Sequence, residues 1–222
     1  MQSDPRLWGV YSAASHLFIK RGYAATHVSD IAEAAGIATG SVYNLFSGKK
    51  AVLHYVVHST LLGQPAIADP AELPIPVIPE LDIAETMTQK ADALFKRLKP
   101  PGQVPIPFGD MLEVLFDCIA SYQVAFNLIN KNPDVLPHLH EQYQQYMKRL
   151  YRVTEECLRH GIADGAVRPV CYPELHVRNI LEDIAWWAML LPYEEVSVQL
   201  SVEVAREAAL DTLRHAYLVR PC

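Results

Sequence analysis

The sequence predicts an all-α fold, and two observations support this prediction. Apolar side chains recur at the three- and four-residue spacing of helices through most long segments. Clusters of proline and glycine separate these segments from one another, and no segment shows a convincing strand pattern. Half of the 222 residues are hydrophobic and 20% are charged, which is an ordinary composition for a soluble globular protein.

The first helix is predicted from about Asp4 to Arg21, and Gly22 is expected to end it. Its apolar stripe consists of Leu7, Val10, Tyr11, Ala14, Leu17 and Phe18. Trp8 lies off this stripe, where packing on a neighbouring side chain is the ordinary role.

Residues 26–53 predict two short helices, a tight turn between them, and the start of a longer helix. Thr26 is expected to cap the first short helix, and Gly36 to end it with a positive φ. The second helix is predicted to begin at about Thr39. Helices this short cannot bury their own apolar faces, so the helix before them and the helix after them must complete the core.

This arrangement is typical of a helix-turn-helix, whose second helix enters the major groove of DNA. The outward positions of the second helix are small or polar: Thr39, Gly40, Ser41 and Asn44. An Asn side chain can form two hydrogen bonds to adenine. Lys49 and Lys50 are predicted to bind a phosphate at the start of the next helix.

The segment GYAATHVSDIAEAAGIATGSVYNLFSGKKAVL resembles the DNA-binding segment of the TetR family of bacterial transcription regulators. The matching residues are Gly22, Tyr23, Thr26, Ile31, Ala32, Ala35, Gly36, Gly40, Val42, Tyr43, Phe46, Lys49 and Leu53. The resemblance implies a three-helix DNA-binding head over residues 1–48, with Thr26 and Tyr43 added to the contacts. It also implies a larger helical body over residues 49–222, for ligand binding and dimerisation.

Three positions depart from the family pattern. Ala38 lacks a hydroxyl that is common there, Leu45 replaces an aromatic residue or His, and Lys50 replaces a usual acidic residue. These departures bear on individual DNA contacts and leave the predicted fold unchanged.

Charge and composition predict a cytoplasmic protein that does not associate with membranes. The net charge of −6 argues against a general nucleic-acid coat protein. The start of the chain lacks the pattern of a signal peptide, and the apolar run near residues 184–193 is too short to span a bilayer. The four cysteines, Cys118, Cys157, Cys171 and Cys222, show no metal-binding spacing and are expected to be free thiols.

A longer helix is predicted from Lys49 to about Leu62. His54 and His58 are four residues apart and can face the same way, which is one arrangement of metal ligands. No third ligand is evident, so polar packing or exposure is favoured and no metal is predicted.

The prolines of residues 65–80 exclude a continuous helix. The apolar Ile75, Val77 and Ile78 predict that this connection is ordered against the body, with a flexible linker as the alternative. Three further helices are predicted at about 81–98, 109–130 and 137–163.

Two helices are predicted to close the chain, at about 173–191 and 196–218. They can complete the core of a monomer. The resemblance implies instead that they pair with their copies in a homodimer.

Aromatic and polar side chains of the body helices are candidates for a ligand pocket, which predicts an apolar or aromatic effector. They are Tyr122, Gln123, Phe126, Asn127, Tyr146, Tyr151, Glu155, Trp186 and Trp187. Aromatic residues at helical spacing more commonly form plain core, and this alternative stays open.

The function predicted from these observations is a dimeric repressor that binds an operator in double-stranded DNA and is released by a small molecule. An activator or a ligand-independent DNA-binding module is the alternative. The sequence lacks GxSxG, a phosphate-binding glycine loop, HExxH and CxxC. No catalytic residue and no cofactor are therefore predicted.

Overall fold

The computed structural model describes residues 4–63, 73–193 and 200–219. Within these ranges the chain forms α-helices and no β-sheet, which confirms the predicted fold class. The helices are α1 (Pro5–Arg21), α2 (Val28–Ala34), α3 (Thr39–Leu45), α4 (Lys49–Leu62), α5 (Glu80–Leu98), α6 (Phe108–Lys131), α7 (Pro137–Ala163), α8 (Pro173–Ala185) and α9 (Val202–Tyr217).

Helix α1 begins and ends where its sequence predicts. The Asp4 carboxylate accepts a hydrogen bond from the Arg6 backbone N–H at 2.9 Å, which satisfies one of the free donors of the first turn. Gly22 follows the last residue with a φ of +86°. Trp8 stacks on Tyr11, with 5.4 Å between ring centroids, and remains 58% exposed.

The two short helices follow the prediction, except at one cap. His27 precedes α2, and its backbone N–H donates to the Asp30 carboxylate at 2.8 Å. The predicted cap at Thr26 was wrong, because its hydroxyl donates backwards to the Gly22 carbonyl at 2.8 Å. Gly36 has a φ of +67° as expected, and this left-handed conformation favours glycine.

The chain forms two compact units. Unit 1 comprises Met1–Gln89 and Val124–Tyr143, and unit 2 comprises Lys90–Gln123 and Gln144–Cys222. Helices α1 to α4 lie in unit 1, where Phe18, Ile31, Phe46 and Tyr55 are fully buried. The predicted domain boundary between residues 48 and 49 stays a prediction.

The end of the α4–α5 connection lies against the head, so the prediction that it packs on the body was wrong for Ile75. The Ile75 N–H donates to the Leu45 carbonyl at 2.8 Å, and the Ser47 N–H donates to the Ile75 carbonyl at 2.9 Å. Residues 64–72 of the connection lie outside the described residues.

The two closing helices are shorter than predicted. After α8, Trp186–Leu190 form a π-helical turn and Leu191–Tyr193 a 3₁₀ turn. Helix α9 begins at Val202, because the Ser201 hydroxyl accepts from the Val204 N–H at 3.3 Å and caps it there. Residues 194–199, which include the predicted start of this helix, are not among those described.

Helix α6 is long and apolar enough to cross a membrane by length and composition. In its most apolar stretch, 61% is buried inside the protein. Such burial is typical of the core helix of a soluble domain, and the residues inside include Leu112, Leu115 and Phe116.

Candidate nucleic-acid interface

The exposed face of α3 carries the side chains that the sequence predicts for DNA contact. Val42 and Leu45 point into the core of unit 1 and are at most 1% exposed. Thr39, Gly40 and Asn44 are exposed, Tyr43 is 52% exposed and Ser41 is half-buried. The major groove of DNA can therefore reach the polar face of α3, while the apolar face of α3 holds the helix against the core.

The end of α3 is held by packing and by backbone pairing. The buried Phe46 ring meets Tyr55 of α4 edge-on, with 5.0 Å between centroids. Ile75 bonds the backbone on both sides of Phe46, at Leu45 and Ser47. No local pattern could predict this pairing, because it joins residues about thirty positions apart.

The Lys49 ammonium is bound within the protein itself, and its predicted phosphate contact stays a prediction. Its ammonium donates to the carbonyls of Tyr23 at 2.8 Å, Thr26 at 2.9 Å and Ala24 at 3.4 Å. It also lies 4.3 Å from the centre of the Tyr23 ring, a favourable cation–π distance. The three donors of the ammonium are thus engaged, and Lys49 fastens the start of α4 to the α1–α2 loop.

Thr26 is also used inside the protein. The residue is fully buried, and its hydroxyl lies 3.4 Å from the Leu17 carbonyl in addition to its bond to Gly22. The Thr26 side chain thus lies inside the protein beside the loop that Lys49 contacts, and its DNA contact stays a prediction.

Lys50 is the lysine that remains available to a phosphate. It is exposed, and it lies in the first turn of α4, where three backbone N–H groups precede the first intrahelical bond from Val52 to Gly48. A helix start with a neighbouring ammonium favours an anion. Its phosphate contact stays a prediction.

His54 and His58 are packed inside unit 1. His54 is 1% exposed, and its Nδ1 lies 2.5 Å from the Ile78 carbonyl. The Nε2 of His58 lies 3.4 Å from the Thr86 hydroxyl. Burial lowers the pKa of both imidazoles, so both are held neutral at pH 7. Among the described residues, no three metal-ligating side chains come together.

The predicted ligand residues belong to both units. In unit 1, Phe126 and Asn127 are buried, and Phe126 packs on Tyr143 at 5.5 Å between centroids. In unit 2, Tyr146 is buried beside Phe95. The burial of Phe126 and Tyr146 is consistent with the core alternative, and their ligand contacts stay predictions.

The other predicted ligand residues of unit 2 have separate neighbours. The Gln123 amide donates to the Tyr193 hydroxyl at 3.1 Å, and Glu155 pairs with Arg159 at 2.7 Å. Trp186 and Trp187 meet edge-on at 5.0 Å, and Tyr151 is half-buried. Their ligand contacts stay predictions.

Tyr122 lines a groove of about 400 Å³ between α5 and α6 in unit 2. The α5 wall is formed by Lys90, Ala93, Leu94 and Arg97. The α6 wall is formed by Val114, Asp117, Cys118, Ser121 and Tyr122. The volume lies in the range of small-molecule sites, and the two cations on the wall were not predicted.

A short, exposed α3 that α1, α2 and α4 fix in place defines a helix-turn-helix DNA-binding protein. Residues 10–56 match the family model of bacterial regulatory proteins, tetR family. This segment of the chain is therefore the DNA-binding segment of the TetR family of transcription regulators, as its motifs indicate, and the described residues around it are helical.

Solved structures show the same fold over nearly the whole chain. The ketosteroid transcriptional regulator KstR2 of Mycobacterium tuberculosis is 18% identical, with a TM-score of 0.53 over 99% of this chain and 98% of that one. The probable transcriptional regulatory protein RHA5900 is 19% identical, with a TM-score of 0.56 over 97% and 100% of the two chains. A search of curated proteins found no match.

Proposed function

We propose that this regulator is a cytoplasmic, dimeric repressor that binds an operator in double-stranded DNA and is released by a small apolar or aromatic molecule. The observation that carries the proposal is the exposed polar face of α3. Asn44 and Ser41 supply groups that can bond base edges or phosphates. Gly40 permits a close approach, since open space surrounds the position of its missing side chain.

Exposed apolar side chains of unit 2 support dimerisation. Leu175, Trp186 and Leu190 lie on α8 and the turn that continues it, and are 57%, 39% and 43% exposed. Val202 and Val204 at the start of α9 are about half exposed. Apolar groups that cluster on a surface are typical of protein interfaces. A two-fold dimer would place two copies of α3 at the roughly 34–36 Å spacing of successive major grooves.

Release by a ligand follows from linkage. A molecule that binds one conformation of the body better than another shifts the population of the two. When the disfavoured conformation is the one whose heads fit DNA, binding of the molecule and of DNA oppose each other equally. The repressor role rests on the family resemblance, and we assign no catalytic residue or cofactor.

The test is binding to the DNA upstream of the protein's own coding region, measured by fluorescence anisotropy. Gly40→Asp places a carboxylate on the exposed face of α3, where it repels phosphate and meets no neighbouring atom. We expect binding to fall at least a hundredfold with unchanged circular dichroism. Gln89→Asp, which adds the same charge on an exposed part of α5, should bind like the parent.

Equal loss in both variants, or no loss in Gly40→Asp, would contradict the role of α3. Screening small molecules for release of the bound DNA then separates a ligand-controlled regulator from a ligand-independent module. Transcription from the bound promoter, with and without the protein, separates a repressor from an activator.

A further inference from the structure

The α5–α6 groove of unit 2 combines an apolar lining with two cations. Ala93 and Leu94 of α5 face Val114 and Cys118 of α6. Lys90 and Arg97 flank the apolar part of the α5 wall, seven residues apart, which is roughly 10 Å along the helix axis. The groove is therefore elongated, and each end of its α5 wall carries a positive charge.

These two cations have no anionic partner in the part of the chain that the structure describes. The neighbouring basic residues are paired: Lys99 with Glu156 at 2.5 Å, and Arg149 with Asp92 at 2.7 Å. Neither the Lys90 nor the Arg97 side chain forms an ion pair among the described residues. Lys90 is half-buried and Arg97 is exposed, so a molecule in the groove can reach both side chains.

The acidic residue of the groove is already neutralised. Asp117 accepts two hydrogen bonds from the Arg206 guanidinium, at 2.6 and 3.2 Å. The Cys118 thiol adds no charge, because burial raises its pKa to about 11. Lys90 and Arg97 against Asp117 give the lining a net formal charge of +1, in a protein whose net charge is −6.

From this geometry we infer that the groove binds an elongated amphipathic anion, with an apolar body along Leu94 and Val114 and an acidic group at Lys90 or Arg97. The inference rests on the proposed ligand-controlled function and narrows its ligand class. A neutral apolar molecule of the same length leaves both cations without a partner, so the groove discriminates by charge. A cationic molecule is disfavoured by the same two residues.

The probe pair octanoate and octan-1-ol isolates the charge, since the two molecules share an alkyl chain. Binding to the full-length protein is measured by isothermal titration calorimetry at low ionic strength. We expect octanoate to bind about tenfold more tightly than octan-1-ol. The double variant Lys90→Gln/Arg97→Gln should weaken octanoate binding about five- to tenfold and leave octan-1-ol unchanged.

Two further variants locate the effect. Lys96→Gln/Lys148→Gln removes the same total charge from exposed positions outside the groove and should bind octanoate like the parent. Ser121→Trp fills the groove from an exposed position without changing charge and should weaken both probes. Equal binding of the two probes, no binding of either, or the same loss in both double variants would overturn the inference.

DNA binding of each variant, measured without probe, separates this inference from the proposed function. If octanoate binding depends on Lys90 and Arg97 but octanoate leaves the affinity for DNA unchanged, the groove binds the anion as inferred. The same result contradicts the proposal that a ligand in this groove releases DNA. If octanoate still releases DNA from the Lys90→Gln/Arg97→Gln variant as it does from the parent, octanoate acts at another site, which supports the regulator and overturns the inference about this groove.

Discussion

The face of α3 and the α5–α6 groove differ in what determines them. On α3, the exposed Asn44 and the buried Val42 follow from helical spacing within one short segment. In the groove, Lys90 and Tyr122 meet only because two helices pack in one particular register. The comparison teaches that periodicity predicts which side of a helix is exposed. It does not predict which side chains of different helices come together.

Two adjacent lysines show the same difference at short range. Lys49 and Lys50 have equal charge and neighbouring positions at the start of α4. Lys49 donates to three carbonyls of the α1–α2 loop, whereas Lys50 is exposed. A helical rotation of 100° per residue sends them to different surroundings, and only the fold specifies what those surroundings are.

The largest expected effect is on the free energy of unfolding, and it contrasts the core around α3 with the wall of the α5–α6 groove. Phe46→Ala removes a fully buried ring from the contact with Tyr55 and should lower the free energy of unfolding by ~3–5 kcal/mol. Tyr122→Ala, at a half-buried position, should lower it by about 1 kcal/mol. Urea denaturation followed by circular dichroism measures both. The reverse order would show that α3 is not anchored through Phe46.

The next effect separates the two lysines. Lys49→Ala leaves the carbonyls of Tyr23 and Thr26 without their charged donor and should destabilise the protein by about 2 kcal/mol. Lys50→Ala should change stability by less than about 0.5 kcal/mol. It should instead lower the slope of log affinity for DNA against log salt by about one.

Denaturation curves and DNA titrations at several salt concentrations test this pair. Lys49→Ala with parental stability and a reduced salt slope would restore the phosphate role that the sequence predicts for Lys49. Equal slopes for Lys50→Ala and the parent would remove Lys50 from the interface.

An effect of similar size is expected on the base preference of DNA binding when Asn44 is replaced. Asn44→Ala removes an exposed amide from α3 and should relax discrimination at one base position per half-site by about 1–3 kcal/mol. Stability should remain within about 0.5 kcal/mol of the parent. Selection of binding sites from a random DNA pool measures the preference, and recovery of an unchanged consensus would exclude Asn44 from readout.

The smallest effect concerns acid stability and contrasts buried with exposed ionisable groups in unit 1. Burial holds the pKa of His54 and His58 below 6.5 in the folded state, so the unfolded chain binds more protons below that pH. Stability is therefore fully present above pH 6.5 and lost as the pH falls through the lowered folded-state values. The Lys50 charge lowers the pKa of His54 and Glu80 raises it, while Asp82 raises that of His58.

Urea denaturation at pH 7.5 and 5.5 measures this dependence, with at most about 1.4 kcal/mol per pH unit from each histidine. His54→Gln/His58→Gln should lose less stability over this interval than the parent. Exposed His27 serves as the control, because His27→Gln should keep the parental dependence. An equal loss in parent and double variant would show that other groups cause the dependence.

Much of the fold was predictable because helix limits depend on local chemistry. Asp4, Gly22 and Gly36 set the ends of α1 and α2 as expected, and α4 has its predicted bounds. The closing helices end and begin elsewhere than predicted. The π-helical turn at Trp186 was not predictable because periodicity does not distinguish one helical hydrogen-bond pattern from another. Ser201, whose hydroxyl caps α9, lies inside the range predicted to be helical. The bond between Ile75 and Leu45 was beyond sequence reasoning, since it depends on closure of a long loop.

The Ile75 bridge also bears on where the DNA-reading unit ends. A fragment cut after α4 would retain every residue of the 10–56 match and still lack the partner of the Leu45 carbonyl and the Ser47 N–H. Those two groups adjoin the last turn of α3, the helix that we propose reads DNA, so the orientation of that helix depends on residues that follow the motif in the chain.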